Sequence, residues 1–505
     1  MKVSPNRGCL FALVPPSYQI VICCALGFTL FGYDQGLYGG IIINQNFLND
    51  FDHPSSTILG QIQATFDLGA FVGAVGICMW GDRLGRRMSI IIGCVTTIVG
   101  GVIQAASYSA AQLIVGRLIA GIGTGFITST VPVWQSETCG AMVRGAMILA
   151  ELGVVAVGAS IAAWVNVGCR FVDSEFAWRF PMALQCLYAI GCLCMVLYLP
   201  ESPRWLIFKG RVEEGERALA MILEKDESDA EVQALKNEIE ISVEHEREIS
   251  KNTTWRSMLK SDETQNLRRI ALGVATQVFQ KLGGIDVINY YMGYIVMNYA
   301  GMSQTQSLCL TAGNLMNQAF FTFCSILLIE RVGRRYLLAG GHLVEGISYT
   351  VVTIGLGLGT KTSRVAAVSF MFVFISAFGL TNNAIPWLYP AEINSQQSRF
   401  LGAALATGAD WIFNYLIAMI TPIAIDNIDW RYYIVFSVLN FVFAIVTYLI
   451  IVETAGMSLE QIDEWFARDF HERRGEEYIP PAEKAFAEKK LEEVEHVETI
   501  DEAYV

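Results

Sequence analysis

An aspartate lies inside an otherwise apolar, glycine-rich run, LGFTLFGYDQGLYGGIII at residues 26–43. A carboxylate at membrane depth costs at least ~2.5 kcal/mol near the centre of a span, so Asp34 persists only with a partner or a task. Arg117, in GRLIAG, also sits inside an apolar run. The segment QVFQKLGGIDVINYY at 277–291 holds Gln277, Gln280, Lys281, Asp286, Asn289, Tyr290 and Tyr291, too many polar groups for a helix that faces lipid. Groups of this kind support ion pairing, proton binding and hydrogen bonding to a polar ligand.

Composition defines the elements that must position them. The chain has 505 residues, 53% hydrophobic and 16% charged, against about 25% charged in an ordinary soluble protein. Apolar stretches long enough to cross a bilayer as helix recur along it. Twelve spans are predicted, near 18–43, 58–80, 88–107, 111–133, 145–166, 181–200, 269–298, 308–329, 336–358, 365–390, 400–424 and 432–452. The expected fold class is therefore all-α integral membrane, twelve transmembrane helices. The net charge of −13 is concentrated in the tail after Val452, which reads as a solvated acidic segment. The 12 cysteines show neither metal-site spacing nor a secreted disulfide framework. The first residues carry no small-residue cleavage signature, so no removable signal is expected.

Lys and Arg placement gives orientation. Arg83, Arg86 and Arg87 follow span 2, and Arg331, Arg334 and Arg335 follow span 8, whereas 44–57 and 299–307 hold no Lys or Arg. The positive-inside rule places both termini and the central segment in the cytoplasm. Arg170, Arg179, Lys361, Arg364 and Arg431 run against the pattern. The Asn252-Thr253-Thr254 sequon then lies on the side that is not glycosylated.

The chain also repeats itself. GYD at 32–34 matches GID at 284–286, and WRF at 178–180 matches WRY at 430–432, both at an offset of 252. DRLGRR at 82–87 meets ERVGRR at 330–335 at 248, and Glu137 with Arg144 meets Glu392 with Arg399 at 255. Two homologous six-helix halves are implied, with a ligand where they meet, near the bilayer midplane. The expected organisation is a cytoplasmic N-terminus at 1–17, one half at 18–200, a cytoplasmic helical linker at 201–268, the second half at 269–452 and an acidic cytoplasmic tail at 453–505. This pattern alone indicates a transporter.

At these motifs the chain resembles the sugar porter family of the major facilitator superfamily over 18–466. The stretches that carry the resemblance are GDRLGRR, GRLIAGIGTG, PVWQSE, RGA, PESPRWL, ERVGRR, IPWLYPAEI and ETAGMSLEQID. WRFP with ETAG and SLEQID resembles most the fungal branch of sugar/proton and glycerol-type proton symporters. The resemblance implies that Asp34 and Arg117 couple transport to protons, with no cofactor besides the proton as coupling ion. It places Gln280, Asn317, Trp387, Trp411 and Asn414 where relatives touch sugar. Lys281, Asp286, Asp410 and Glu151 depart from the amides frequent in relatives, and Lys281 is expected to pair with at least one of the three acids, since unpaired buried charge is costly. Such a charged cavity suits a polyol, a modified sugar or an acidic sugar with Lys281 as counter-ion; a common hexose or pentose is the other reading. A cytoplasmic gate is implied from Asp82, Arg86 and Arg87, Glu137 with Arg144, Glu330 with Arg334 and Arg335, and Glu392 with Arg399.

The function expected is a secondary transporter importing a sugar or polyol across the plasma membrane by proton symport. A facilitative uniporter, an acidic-sugar or metabolite transporter and a non-transporting nutrient sensor are the alternatives; an enzyme is not expected. The partners expected are a small polar substrate and the lipid bilayer, with no nucleic acid, for a monomeric chain.

Overall fold

The computed structural model describes residues 14–138, 144–252, 263–395 and 398–475; the side chains of 144–149, 245, 246, 248–252, 400 and 460 are outside the description. Most of the acidic tail and part of the sequon therefore lie outside the described residues. Those described form helices and loops with no strand among them.

The first half contains Pro16–Ile41 (span 1), Ser56–Leu84 (span 2), Arg86–Ala105 (span 3), Ala110–Thr138 (span 4), Arg144–Cys169 (span 5) and Phe176–Val196 (span 6). Helices Pro203–Phe208, Val212–Leu223 and Ala230–Asn252 follow. The second half contains Gln304–Val332 (span 8), Arg334–Leu358 (span 9), Arg399–Ile428 (span 11) and Tyr432–Ile450 (span 12), with span 7 in two pieces, Asn266–Leu282 and Ile285–Asn298, and span 10 in two, Lys361–Leu380 and Ile385–Ile393. A final helix, Leu459–Arg474, opens on a reciprocal capping box between Ser458 and Gln461.

Among the described residues, ten stretches are long and apolar enough to cross a bilayer. One of them, Leu401–Ile450, contains both spans 11 and 12. Span 7 is not counted among them, because its two pieces are only 17 and 14 residues long.

Breaks in spans 7 and 10 correct the expectation of continuous helices there. Span 7 ends one piece at Leu282 and restarts at Ile285. Gly284, between them, has φ 92°, and a Cβ there would meet Phe436 and the Tyr349 hydroxyl at 2.7 Å, so only glycine fits. Asn440 Nδ2 donates to Gly283 O (2.8 Å) and the Tyr349 hydroxyl to Gly284 O (2.6 Å), satisfying carbonyls that the break frees. Span 10 ends a piece at Leu380 and resumes as Ile385–Ile393. Gln280 Nε2 donates to Asn382 O at 2.7 Å and Gln277 Nε2 to Pro386 O at 3.0 Å, so side chains of the first broken span secure the backbone of the second.

Small residues set how the helices meet. Span 1 packs along span 5, and a Cβ at Gly32 or Gly36 would overlap the backbone of Val155 or Ala159, as expected where membrane helices approach backbone to backbone. Between halves, span 2 packs on span 11, span 5 on span 8, and span 1 on the second piece of span 7.

Candidate functional site

At mid-bundle, Arg117 Nη1 donates to Asp34 Oδ1 over 2.8 Å, and both side chains are almost wholly buried. The guanidinium also donates from Nε to Ile62 O (3.0 Å) and from Nη2 to Gln63 O (3.2 Å), so span 4 reaches spans 1 and 2 through one side chain. It lies over the rings of Tyr38 (4.1 Å) and Phe66 (4.5 Å), where cation–π attraction offsets part of its desolvation. A planar donor with this many partners suits the site in a way that lysine would not.

Between the halves lies a cavity of about 660 Å³, including its open mouth. Span 7 lines it with Gln280, Lys281, Asp286 and Asn289; Trp387 and Asn383 come from span 10, Asp410 from span 11, Phe31 and Gln35 from span 1, and Gln318 from span 8. Apolar residues of span 5, among them Leu152 and Ala156, form the facing wall. Lys281 Nζ stands 3.5 Å from both Asp286 and Asp410. Amides and an aromatic ring around a compensated charge cluster can bind the hydroxyls and the C–H face of a small polyhydroxylated molecule.

Other residues singled out in the sequence lie elsewhere. Asn317 turns away from the cavity and donates to Phe372 O (3.1 Å) and Ser376 Oγ (2.9 Å) on span 10; its neighbour Gln318 faces the space instead. Glu151 is buried beside the cavity but makes no ion pair with Lys281, and its Oε1 has no hydrogen-bond partner. Trp411 sits in a second layer, edge-on to Phe31 at 5.5 Å. Asn414 Nδ2 donates to Asp67 Oδ1 (3.2 Å), crossing between halves, and to the Tyr290 hydroxyl (3.3 Å) within its own half. Asp67, on span 2, was not among the sequence candidates. It is a carboxylate within an apolar helix, as Asp34 is, so the same rule would have found it.

At the arginine-rich end of the bundle each half closes on itself. Arg86 pairs with Glu137 at 2.7 Å, and Arg334 with Glu392 and Glu330 at 2.7 Å each. Arg87 donates to Val196 O and Leu197 O, and Arg335 to Tyr448 O. Asp82 and its repeat partner Glu330 are both exposed, but Glu330 pairs with Arg334, whereas the backbone carbonyl of Asp82 receives Trp205 Nε1. Arg144 opens span 5 with its side chain outside the description, and Arg399 opens span 11. Glu201 accepts the backbone N–H of Arg86 (3.0 Å) and Arg87 (3.1 Å), and Glu453 those of Arg334 (2.8 Å) and Arg335 (3.1 Å). Each carboxylate caps a helix start that follows a positive-φ glycine, Gly85 or Gly333. Burial pushes the Glu201 carboxyl above its ordinary value, while the N–H groups of Ser202, Arg87 and Arg86 pull it back.

This duplicated architecture agrees with comparison to known proteins: the profile of the family described as "Sugar (and other) transporter" matches residues 20–466. The chain belongs to this family. It is 40% identical over 461 residues to the MFS-type transporter oryC of Aspergillus oryzae, covering 89% of this chain and 85% of that one. It is 33% identical over 471 residues to the sugar transporter STL1 of Saccharomyces cerevisiae, covering 90% and 82%. The inward-open xylose transporter XylE of E. coli superposes with a TM-score of 0.74 at 23% identity, over 89% of this chain and 99% of that one. The chain is thus a multi-pass membrane transporter with the major facilitator fold, and not an enzyme.

Family membership gives the two broken helices a meaning. Irregular backbone at membrane depth is tolerated where it lines a cavity, and both breaks border the one described here. A glycine pair at 283–284 and the run Thr381-Asn382-Asn383-Ala384 before Ile385-Pro386 were the available signals.

Proposed function

We propose that this transporter imports a sugar or polyol across the plasma membrane together with protons, with both termini cytoplasmic. The buried Asp34–Arg117 pair, sealed at 2.8 Å beside a polar cavity between two repeated halves, carries the reading. Protonating Asp34 weakens its hold on Arg117, which frees a group tied to spans 1 and 2 and so biases how the bundle opens. The family, the name "Sugar transporter" of STL1 and the description of XylE as a proton:xylose symporter support it.

The cavity favours a neutral substrate over an acidic sugar. Lys281, the group that would neutralise a substrate carboxylate, already stands between Asp286 and Asp410. An anion entering there would meet more carboxylate than cation.

Uptake by proteoliposomes tests this, with a panel of hexoses, pentoses, glycerol, inositol and hexuronates and an imposed pH gradient, acid outside. A neutral member accumulates against its gradient in the wild type, and Asp34→Asn sharply lowers the accumulation reached at a given pH gradient while allowing exchange. Uptake indifferent to the pH gradient overturns the symport reading.

A further inference from the structure

Around the cavity and its neighbouring ion pair lie five buried carboxylates, on Asp34, Asp67, Glu151, Asp286 and Asp410, and two buried cations, Arg117 and Lys281. Were every acid ionised, the bundle would hold a large uncompensated negative charge in a medium of low dielectric, and buried groups in that position take up protons instead. Which acid holds a proton follows from the geometry. Asp34 receives a charge-assisted hydrogen bond from Arg117, and Asp286 and Asp410 share Lys281. Among the described residues, Asp67 and Glu151 have no such cation; of the two, Asp67 is bonded across the seam to the other half, by Asn414. Its Oδ1 accepts one amide hydrogen bond from Asn414, and its Oδ2 has no hydrogen-bond partner although it is shielded from solvent.

Position gives that proton a role. Asp67 lies on span 2, one turn after Gln63, whose carbonyl holds Arg117, and its own partner Asn414 lies on span 11 in the other half. The groups that face it electrostatically are Arg117 from span 4, Lys281, Asp286, Tyr290 and Tyr291 from span 7, and Asp410 from span 11. It therefore stands between the Asp34–Arg117 pair and the lysine cluster of the cavity. Toward the end of the bundle away from the arginine clusters the two halves are closed over it: a Cβ on Gly60 would come within 2.7 Å of Met419 O, Gly39 lies against the backbone of Tyr290, and Gln304 Nε2 donates to Ile43 O at 2.7 Å.

We propose that Asp67 carries a second transported proton, taken up while spans 2 and 11 are apart at that end and sealed in when they close. This rests on the symport reading and adds a site to it. As a neutral acid Asp67 keeps one oxygen to accept Asn414 Nδ2 and carries no charge into the closed interface. As a carboxylate it opposes closure, so the closed arrangement selects the protonated form. When the opposite end opens and water reaches the acid, the proton leaves to that side and the carboxylate is restored.

The ratio of protons to substrate decides the matter. In proteoliposomes at zero membrane potential, a fixed gradient of the accumulated substrate is opposed by a graded pH difference, and the pH difference at which net flux stops gives the ratio. The ratio is thermodynamic and does not depend on how fast a variant turns over. Asp67→Asn is expected to move one proton fewer per substrate than the wild type; an unchanged ratio overturns the proposal. A second measurement uses detergent-solubilised protein: in Asp34→Asn, substrate still triggers proton uptake, and adding Asp67→Asn removes it; no uptake in the single variant, or uptake that survives in the double variant, also overturns the proposal. Absence of any pH-driven flux in the wild type is a separate result that sinks the symport reading and this site together.

Discussion

The hydroxyl of Tyr349, on span 9, donates to the carbonyl of Gly284 at 2.6 Å, so a helix outside the cavity holds the break in a helix that lines it. Tyr349 is fully buried, stacked on Tyr433 and packed against the rings of Phe374 and Phe436. Replacing it with phenylalanine keeps the packing and orphans one carbonyl, a loss of about 1–3 kcal/mol. Thermal unfolding of the solubilised Tyr349→Phe protein should show a lowered midpoint, and an unchanged midpoint would mean that the carbonyl finds another donor.

Arg117 and Asp34 should be strongly non-additive. Arg117→Met leaves a carboxylate buried without its cation and strips donors from the carbonyls of Ile62 and Gln63; the expected cost is about 3–5 kcal/mol. Adding Asp34→Asn removes the stranded charge and should recover part of that loss. A double-variant cycle read by thermal stability checks this, and simple additivity of the two substitutions would contradict a direct pair.

Glu201 predicts a pH dependence of known sign. Its folded-state carboxyl titrates above its ordinary value because burial outweighs the N–H groups aimed at it. Its contribution is then fully present below the ordinary carboxylate range and is lost as pH rises through the raised value. Glu201→Gln cannot titrate, so the stability of the wild type relative to this variant should decline as pH rises above the ordinary carboxylate range of about 4. Unfolding midpoints measured on both proteins across that rise would show it; a gap that widens with pH would reverse the assignment.

How far the sequence reached depended on the kind of relation involved. The two halves and the helical class were legible because apolar length and an internal offset are properties of the chain itself. The ion pair of Arg117 with Asp34, and that of Lys281 with Asp286 and Asp410, follow from the rule that buried charge seeks its opposite. That rule names candidates without choosing among them, and Glu151 stands apart. Asn317 and Gln318 are adjacent polar residues on one helix, and which of them faces the cavity depends on the rotation of that helix against its neighbours, a matter of packing alone. Glu137 was matched with Arg144 by motif, whereas its described partner is Arg86, brought in by the fold of the same half. Asp67 is the omission the residues themselves could have prevented.

The matched carboxylates Glu201 and Glu453, each clasping the start of a helix within its own repeat, have a consequence for motion. Among the described residues, both repeats fasten their arginine corners internally, so each corner holds its shape through bonds of its own half. Under the proposed transport cycle these corners can travel as units while the halves pivot, and the helix breaks at Gly284 and before Ile385 offer joints within the second half.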